Sequence, residues 1–314
     1  MKQTVYVIIG PTASGKSGVG IELAKKINGV VISADSMQIY EKLDIGTAKV
    51  TNKEACGIEH ELIDIIDVTD KFSVSEYKEL CYKKIDEILA KNKTPIIVGG
   101  TGLYINAVVN NMTFEKVDEK KEEQVDRELE LLIQDKSEEE LYQILVQMDK
   151  EAANLIDKNN TKRVIRAIKM NLLGVKKSDV DNRKDLWHKN ESKYNFKVYL
   201  LDMPREMLYE RINKRVDLMV ELGVLKEAKY LLELSRENKD ITAIQAIGYK
   251  EFFGYLEGNK TLEECTQLLK QKTRNYAKRQ LTWFNKLNEK KIIDATKTKD
   301  EIIMNILKEN YGEN

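Results

Sequence analysis

Eight residues, Gly10-Pro11-Thr12-Ala13-Ser14-Gly15-Lys16-Ser17, constrain this chain more than any other segment. They fit GxxxxGK[ST], and their flanks are the ones that pattern needs: an apolar stretch, Val5 to Ile9, ahead of them and an amphipathic helix from about Lys16 to Ile27 behind. The glycines let the backbone curl until its N–H groups converge on an anionic oxygen, and the helix N-terminus adds partial positive charge. Lys16 supplies a full charge, and Ser17 a hydroxyl able to ligate Mg²⁺. A phosphate or pyrophosphate is the predicted ligand of Gly10 to Ser17. A strand that feeds a helix through such a loop also commits the neighbouring chain to βαβ units.

The first third of the chain obeys that grammar. Val30 to Ile32 is a second apolar strand, a helix from about Val74 to Ala90 is capped by Ser73, and Pro95 to Val98 enters a Gly99-Gly100-Thr101-Gly102 turn. Short all-apolar strands imply a parallel sheet covered on both faces. From about Phe114 to Tyr194 the strand signal gives way to charged helical patterns, with Val164, Ile165, Ile168 and Leu172 on one helix face. Lys197 to Leu201 is strand-like again. Pro204 opens a long helical run containing Leu208, Ile212, Val216 and Met219, and Ile292-Ile293 forms a last short strand before a terminal helix. The predicted fold is α/β, a P-loop NTPase-like parallel sheet with helices on both faces and an inserted all-helical subdomain. Residues 1–113 and 195–314 form the catalytic core with C-terminal helices, and 114–194 the insertion.

With 42% hydrophobic and 33% charged residues in 314, the chain has the composition of a folded, helix-rich protein, which excludes the disordered class. No apolar run approaches the roughly 20 residues of a membrane helix, and MKQTVYVIIGPT runs into a buried strand rather than a cleavable signal. The expected location is the cytoplasm. Cys56, Cys81 and Cys265 are far apart and lack CxxC spacing, so neither a disulfide framework nor a cysteine zinc site is expected, and all three are read as buried thiols. No heptad seam is visible, so a monomer is expected. Basic and acidic residues number 52 each, yet they are segregated. Lys270 to Lys286 carries Lys270, Lys272, Arg274, Lys278, Arg279 and Lys286 without one acid, a local basic surface on a neutral chain.

The cradle alone predicts phosphoryl transfer from a nucleotide. Three other segments bear on that. Asp35 ends the second strand, where parallel sheets bind ligands; it suits a magnesium-associated carboxylate, an acceptor for an amine made nucleophilic, or a turn aspartate. Gly99-Gly100 lets backbone approach a ligand, with the Thr101 hydroxyl beside the cradle, or is simply a tight turn. Arg211 and Arg215, four apart on one helix face, can clamp phosphates or form a solvated basic face. If pyrophosphate departs, charge on the leaving group is where stabilisation gains most, which favours Arg215.

Taken in order, GPTASGKS at 10–17, ADSMQIY at 34–40, DIGTAK at 44–49, HELID at 60–64, FSVSEY at 72–77, GGTGLYI at 99–105, RINKRVDLM at 211–219, AIGYKEF at 246–252 and RNYAKRQLTWF at 274–284 resemble the tRNA dimethylallyltransferases, also called isopentenyl-tRNA transferases. The resemblance covers nearly the whole chain. It implies transfer of a dimethylallyl group from dimethylallyl diphosphate to N6 of the adenosine 3′ of the anticodon, with release of pyrophosphate and use of Mg²⁺ at Ser17. It implies catalytic roles for Asp35, as acceptor for the adenine amine, and for Thr101 and Arg215 at the diphosphate and reacting centre. It also implies that Gly10, Pro11, Thr12, Ala13, Ser14, Gly15, Lys16 and Ser17 bind the diphosphate. The tRNA anticodon stem-loop is the implied partner. Its target base must be extruded, with Asp35, Ser36, Met37 and Gln38 as readers.

Asn159, Asn160, Thr161, Lys162 and Arg163, opening a helix on which Lys162, Arg166 and Lys169 share a face, resemble a tRNA-contact segment of the insertion. Gln245, Gly248, Tyr249 and Lys250 resemble another. Arg274, Lys278 and Arg279, interleaved with Tyr276, Trp283 and Phe284, suit phosphate contacts with stacking, although Trp283 and Phe284 equally suit a core. Two departures stand out: Glu59-His60 replaces the two histidines frequent before LID in the family, and the Cys/His zinc finger of eukaryotic relatives is missing, as in the shorter bacterial form. A P-loop kinase and a nucleotide-switched RNA-binding protein are the rival readings of the same cradle.

Overall fold

The apolar segments become one sheet: β1 (Gln3–Ile9), β2 (Gly29–Ala34), β3 (His60–Glu61), β4 (Thr94–Gly99), β5 (Tyr194–Asp202) and β6 (Lys290–Asp294). The strands lie in the order β3-β2-β4-β1-β5-β6, and every neighbouring pair is parallel. Central β1 shows why its sequence lacks alternation: Val5, Val7, Ile8 and Ile9 are all fully buried between helices on the two faces. Only the two-residue β3 had no legible signal. This computed structural model describes residues 2–114, 119–175, 190–238 and 241–308. The chain packs as two units, Met1–Asn111 with Lys189–Asn314, and Met112–His188.

Local chemistry sets the helix ends. Ser73 accepts the Glu76 N–H while the Glu76 carboxylate accepts the Ser73 N–H, a capping box that starts the helix Val74–Ala90 where the sequence predicts it. Thr261 and Glu264 do the same for Leu262–Phe284, a helix about 34 Å long. This tail helix joins two cores. Cys265 and Leu269 pack with Ile39, Tyr40, Leu43, Val216 and Phe252, and Ala277 packs with Ile8, Leu23, Tyr199, Leu201 and Ile302. The loop after β2 is thereby pinned to the C-terminal helices. In the smaller unit, Leu141 and Leu145 of the helix Glu138–Met148 pack on Val164, Ala167 and Ile168 of the helix Thr161–Leu172. Cys81 and Cys265 are buried as expected, but Cys56 is exposed; it caps the short helix Asn52–Ala55 in a left-handed conformation, φ 51°, which turns it away from any core. Among the described residues, no helix is long and apolar enough to cross a membrane.

Candidate active site

Strand register builds the site. Ile9 pairs with Gly99, and Ala34 pairs with Gly99 as well, so β1, β4 and β2 end level and release Gly10, Gly100 and Asp35 from the same carboxyl edge. The cradle closes immediately. Gly15 has φ 90° and Ala13 φ 64°, and the Ser14 N–H donates to the Pro11 carbonyl at 3.2 Å. The Ser14 hydroxyl is enclosed, with the residue 2% exposed, yet has no hydrogen-bond partner among the described residues. A phosphate oxygen would satisfy it.

Two cations line this cradle. Lys16 Nζ donates to the Pro11 carbonyl at 3.3 Å. Burial, followed by repulsion from the Arg215 guanidinium, pulls the Lys16 ammonium down to about 8, while Asp35 opposes the shift. Arg215 Nη1 donates to Thr12 Oγ1 at 3.3 Å; burial lowers its pKa also, with Asp35 and Glu54 opposing. Arg211 is exposed, and its Nη1 lies 3.9 Å from the point where a Cβ on Gly15 would stand. Two positive groups held close in partial burial, with only partial compensation, are an arrangement that a bound anion would relieve.

The ends of β2 and β4 carry Asp35 and Thr101. Asp35 Oδ1 accepts the Met37 N–H at 3.0 Å, which turns the chain out of β2. The Ser36 N–H donates to Thr101 Oγ1 at 3.0 Å, and the Thr101 hydroxyl donates to Ser36 Oγ at 3.3 Å. These bonds stitch the end of β2 to the end of β4. A Cβ on Gly99 would lie 2.1 Å from the Ala34 carbonyl oxygen, so only glycine permits that approach. Tyr276 of the tail helix faces the same place: burial and the Asp35 charge raise its pKa, while Thr101 and Gln280 hydrogen-bond its side chain. Gln280 was missed from sequence. Its Oε1 accepts the Thr12 N–H at 2.8 Å and its Nε2 donates to the Gly100 carbonyl at 2.9 Å.

The residues read as RNA contacts fall into different settings. Gln38 Nε2 donates to the carbonyls of Thr47 at 3.2 Å and Ala48 at 3.4 Å, and its Oε1 accepts from Ser33, so this amide is engaged inside its own loop. Glu227, also missed, accepts the N–H groups of Asp44, Ile45 and Gly46 at 3.0, 2.8 and 3.0 Å and the Tyr249 hydroxyl at 2.9 Å. Gly248 and Tyr249 are accordingly buried, and only Gln245 and Lys250 of that segment are exposed. Asn160 caps the helix Thr161–Leu172 by accepting the Arg163 N–H at 3.3 Å. Asn159, Asn160, Lys162 and Arg163 are exposed, and the Thr161 hydroxyl donates to Glu138. Lys169 does not extend that basic face freely, because it pairs with Glu122 and Asp126 at 2.8 and 2.6 Å.

The acid-free stretch is also partly neutralised from elsewhere. Lys270 pairs with Asp217 at 2.6 Å, and Arg274 donates to Asn213 at 2.7 Å. Lys278 and Arg279 remain exposed, the latter over the Tyr276 ring at 5.6 Å. Phe284 is fully buried. Trp283 is half-buried against Gly102, where an added Cβ would lie 2.3 Å from the indole.

The IPP transferase family model matches residues 38–287. The chain is 48% identical over 283 residues to the tRNA dimethylallyltransferase of Acetivibrio thermocellus, covering 90% of this chain and 89% of that one. To the tRNA dimethylallyltransferase of Clostridioides difficile it is 43% identical, with 97% and 98% covered. Among solved structures it is similar to a tRNA isopentenylpyrophosphate transferase from Staphylococcus epidermidis, with a TM-score of 0.70 at 41% identity and 99% of each chain covered. A eukaryotic dimethylallyltransferase captured acting on tRNA superimposes with a TM-score of 0.76 at 30% identity, over 93% of this chain and 74% of that one.

Proposed function

The chain belongs to the IPP transferase family, and from that premise we infer that it transfers a dimethylallyl group from dimethylallyl diphosphate to N6 of the adenosine 3′ of the anticodon in tRNA. One observation supports this above the others: Lys16 and Arg215 stand together at the cradle with Asp35 near enough to oppose the lowering of both, and Thr101 is bonded to Ser36 beside Asp35. In this reading, the N6 lone pair attacks the allylic carbon, the carbon–oxygen bond breaks, and its electron pair leaves on pyrophosphate. Lys16, Arg215 and the Gly10 to Ser17 backbone stabilise that developing charge, and the enclosed Ser14 hydroxyl finds its partner in a phosphate oxygen. Asp35 accepts the proton that N6 must lose, and Thr101 holds the loop on which Asp35 sits. An aromatic amine is a weak nucleophile, so positioning and leaving-group stabilisation carry the catalysis. Hard oxygen donors suit Mg²⁺, which would be held by the Ser17 hydroxyl and diphosphate oxygens and would add charge stabilisation to the leaving group.

On the RNA side, the extruded base meets Asp35, Ser36 and Met37. Gln38 and Tyr249 serve by shaping their loops, and Arg274 through its link to Asn213. Exposed Lys278, Arg279, Gln245 and Lys250, and Asn159 to Arg163 of the helical insertion, take phosphates and loop bases. The enzyme works as a cytoplasmic monomer. The test is incubation with radiolabelled dimethylallyl diphosphate, unmodified tRNA and Mg²⁺, and in parallel with ATP. Label should move to tRNA. ATP consumption without that movement would make the protein a kinase, and RNA binding with neither would make it a switch.

A further inference from the structure

We propose that Gln280 is a positioning residue that fixes the spacing between the diphosphate cradle and the loop carrying Thr101; the inference rests on the prenyl-transfer reading above. Its side chain is enclosed, with the residue 5% exposed, and both ends of the amide are used. The β1–β4 ladder stops at the Ile9–Gly99 pair. Beyond it, the Gln280 amide takes the Thr12 N–H at 2.8 Å and gives its own N–H to the Gly100 carbonyl at 2.9 Å. A carbonyl and an N–H, presented in opposite directions, are what a peptide unit offers, so the side chain supplies one more rung after the strands have parted.

The two loops so joined hold the two halves of the reaction. Thr12 also accepts from Arg215, on the leaving-group side. Thr101, next to Gly100, holds Ser36 beside Asp35, on the nucleophile side. Glycine at 100 leaves room for the bridge, because a Cβ there would stand 2.4 Å from Gln280 Nε2. Helix Leu262–Phe284 is thereby tied to both loops through one residue. Misplacement of reacting groups by about 1 Å costs on the order of 100-fold in rate, so losing this rung should be felt mainly in turnover.

The test uses the full chain and Gln280→Leu, which keeps the bulk and removes both backbone bonds along with the contact to the Tyr276 side chain. Expected results are kcat for prenyl transfer lowered about 100-fold, inorganic pyrophosphate bound at least about fivefold more weakly by calorimetry, and tRNA Kd within about twofold. Wild-type values for both kcat and pyrophosphate affinity would overturn the proposal. A wild-type protein that moves no prenyl group would sink the transfer reading alone, because the pyrophosphate measurement reports the cradle without turnover. Should Gln280→Leu not fold, Gln280→Glu decides. A carboxylate can accept from Thr12 but cannot donate to Gly100, whereas the protonated acid does both. The ratio of its kcat to wild type should therefore rise as pH falls through the titration of the introduced carboxyl, located in the variant by carboxyl NMR, and a ratio flat across that titration would overturn the assignment.

Discussion

Replacing Lys16 with methionine should make the ligand-free protein more stable while abolishing its hold on pyrophosphate. Burial and Arg215 lower the Lys16 ammonium from 10.5 to about 8. At about 1.4 kcal/mol per tenfold change in proton affinity, keeping this charge in the folded cradle costs on the order of 3 kcal/mol at neutral pH. Because the folded value lies below the unfolded one, the cost is fully present below about pH 8. It is relieved between about 8 and 10.5, where the unfolded chain binds more protons, so this group makes stability rise with pH across that window. Methionine keeps the apolar stem but forfeits the charged bond to the Pro11 carbonyl at 3.3 Å, worth about 1.5 kcal/mol. The net gain is about 1 to 2 kcal/mol, or a Tm higher by about 2 to 5 °C. Scanning calorimetry at pH 7 and pH 10, with and without pyrophosphate, reads all of this. The gap between variant and wild type should shrink toward pH 10, and pyrophosphate should raise only the wild-type Tm. A variant less stable than wild type at pH 7, or a gap indifferent to pH, would mean that Lys16 is already compensated in the free protein.

Asp35→Asn should lower kcat by about 10² to 10⁴ with tRNA Kd within about threefold; an equal loss of binding would make Asp35 a reader of the base rather than a proton acceptor. Replacing exposed Lys278 and Arg279 with alanine should reduce the slope of log Kd for tRNA against log salt by about 1 to 2, and an unchanged slope would remove this helix from the interface. Glu227→Gln leaves one acceptor where a carboxylate now serves three N–H groups and the Tyr249 hydroxyl. It should cost about 1 to 3 kcal/mol in denaturant unfolding, and wild-type stability would show that the 44–46 loop supports itself.

The features legible in the sequence were those with a local cause. β1, β2 and β4 announce themselves because strands buried on both faces carry no polar alternation. Ser73 and Glu76 announce a helix start because the capping box is read over four residues. The features that escaped depend on partners far along the chain. Gln280 looks like any polar helix residue until Thr12 and Gly100, 268 and 180 positions away, are brought to it. Glu227 is one acid among many until the 44–46 turn aims three N–H groups at it. Lys270 and Arg274 belong to an acid-free run, yet Asp217 and Asn213 on another helix engage both. A stretch without acids is therefore no measure of a free basic surface.

The distribution of charge explains why this cradle suits a departing diphosphate. Burial lowers both Lys16 and Arg215, Arg215 lowers Lys16 further, and Asp35 opposes both shifts without cancelling either. Moving Asp35 closer would quiet the cations and stabilise the empty protein. It would also spend the carboxylate as their counterion, when the proposed reaction needs it as an acceptor for the amine. The fold anchors the two sides separately, Ser36 beside Asp35 on Thr101 and Arg215 on Thr12. Both are reached by one helix: Gln280 bonds the Thr12 N–H, and Tyr276 is hydrogen-bonded by Thr101. On the proposed reaction, residual positive charge is then left for the pyrophosphate, which develops its negative charge only as the bond to carbon breaks. An interaction of that kind lowers the barrier rather than merely tightening the ground state.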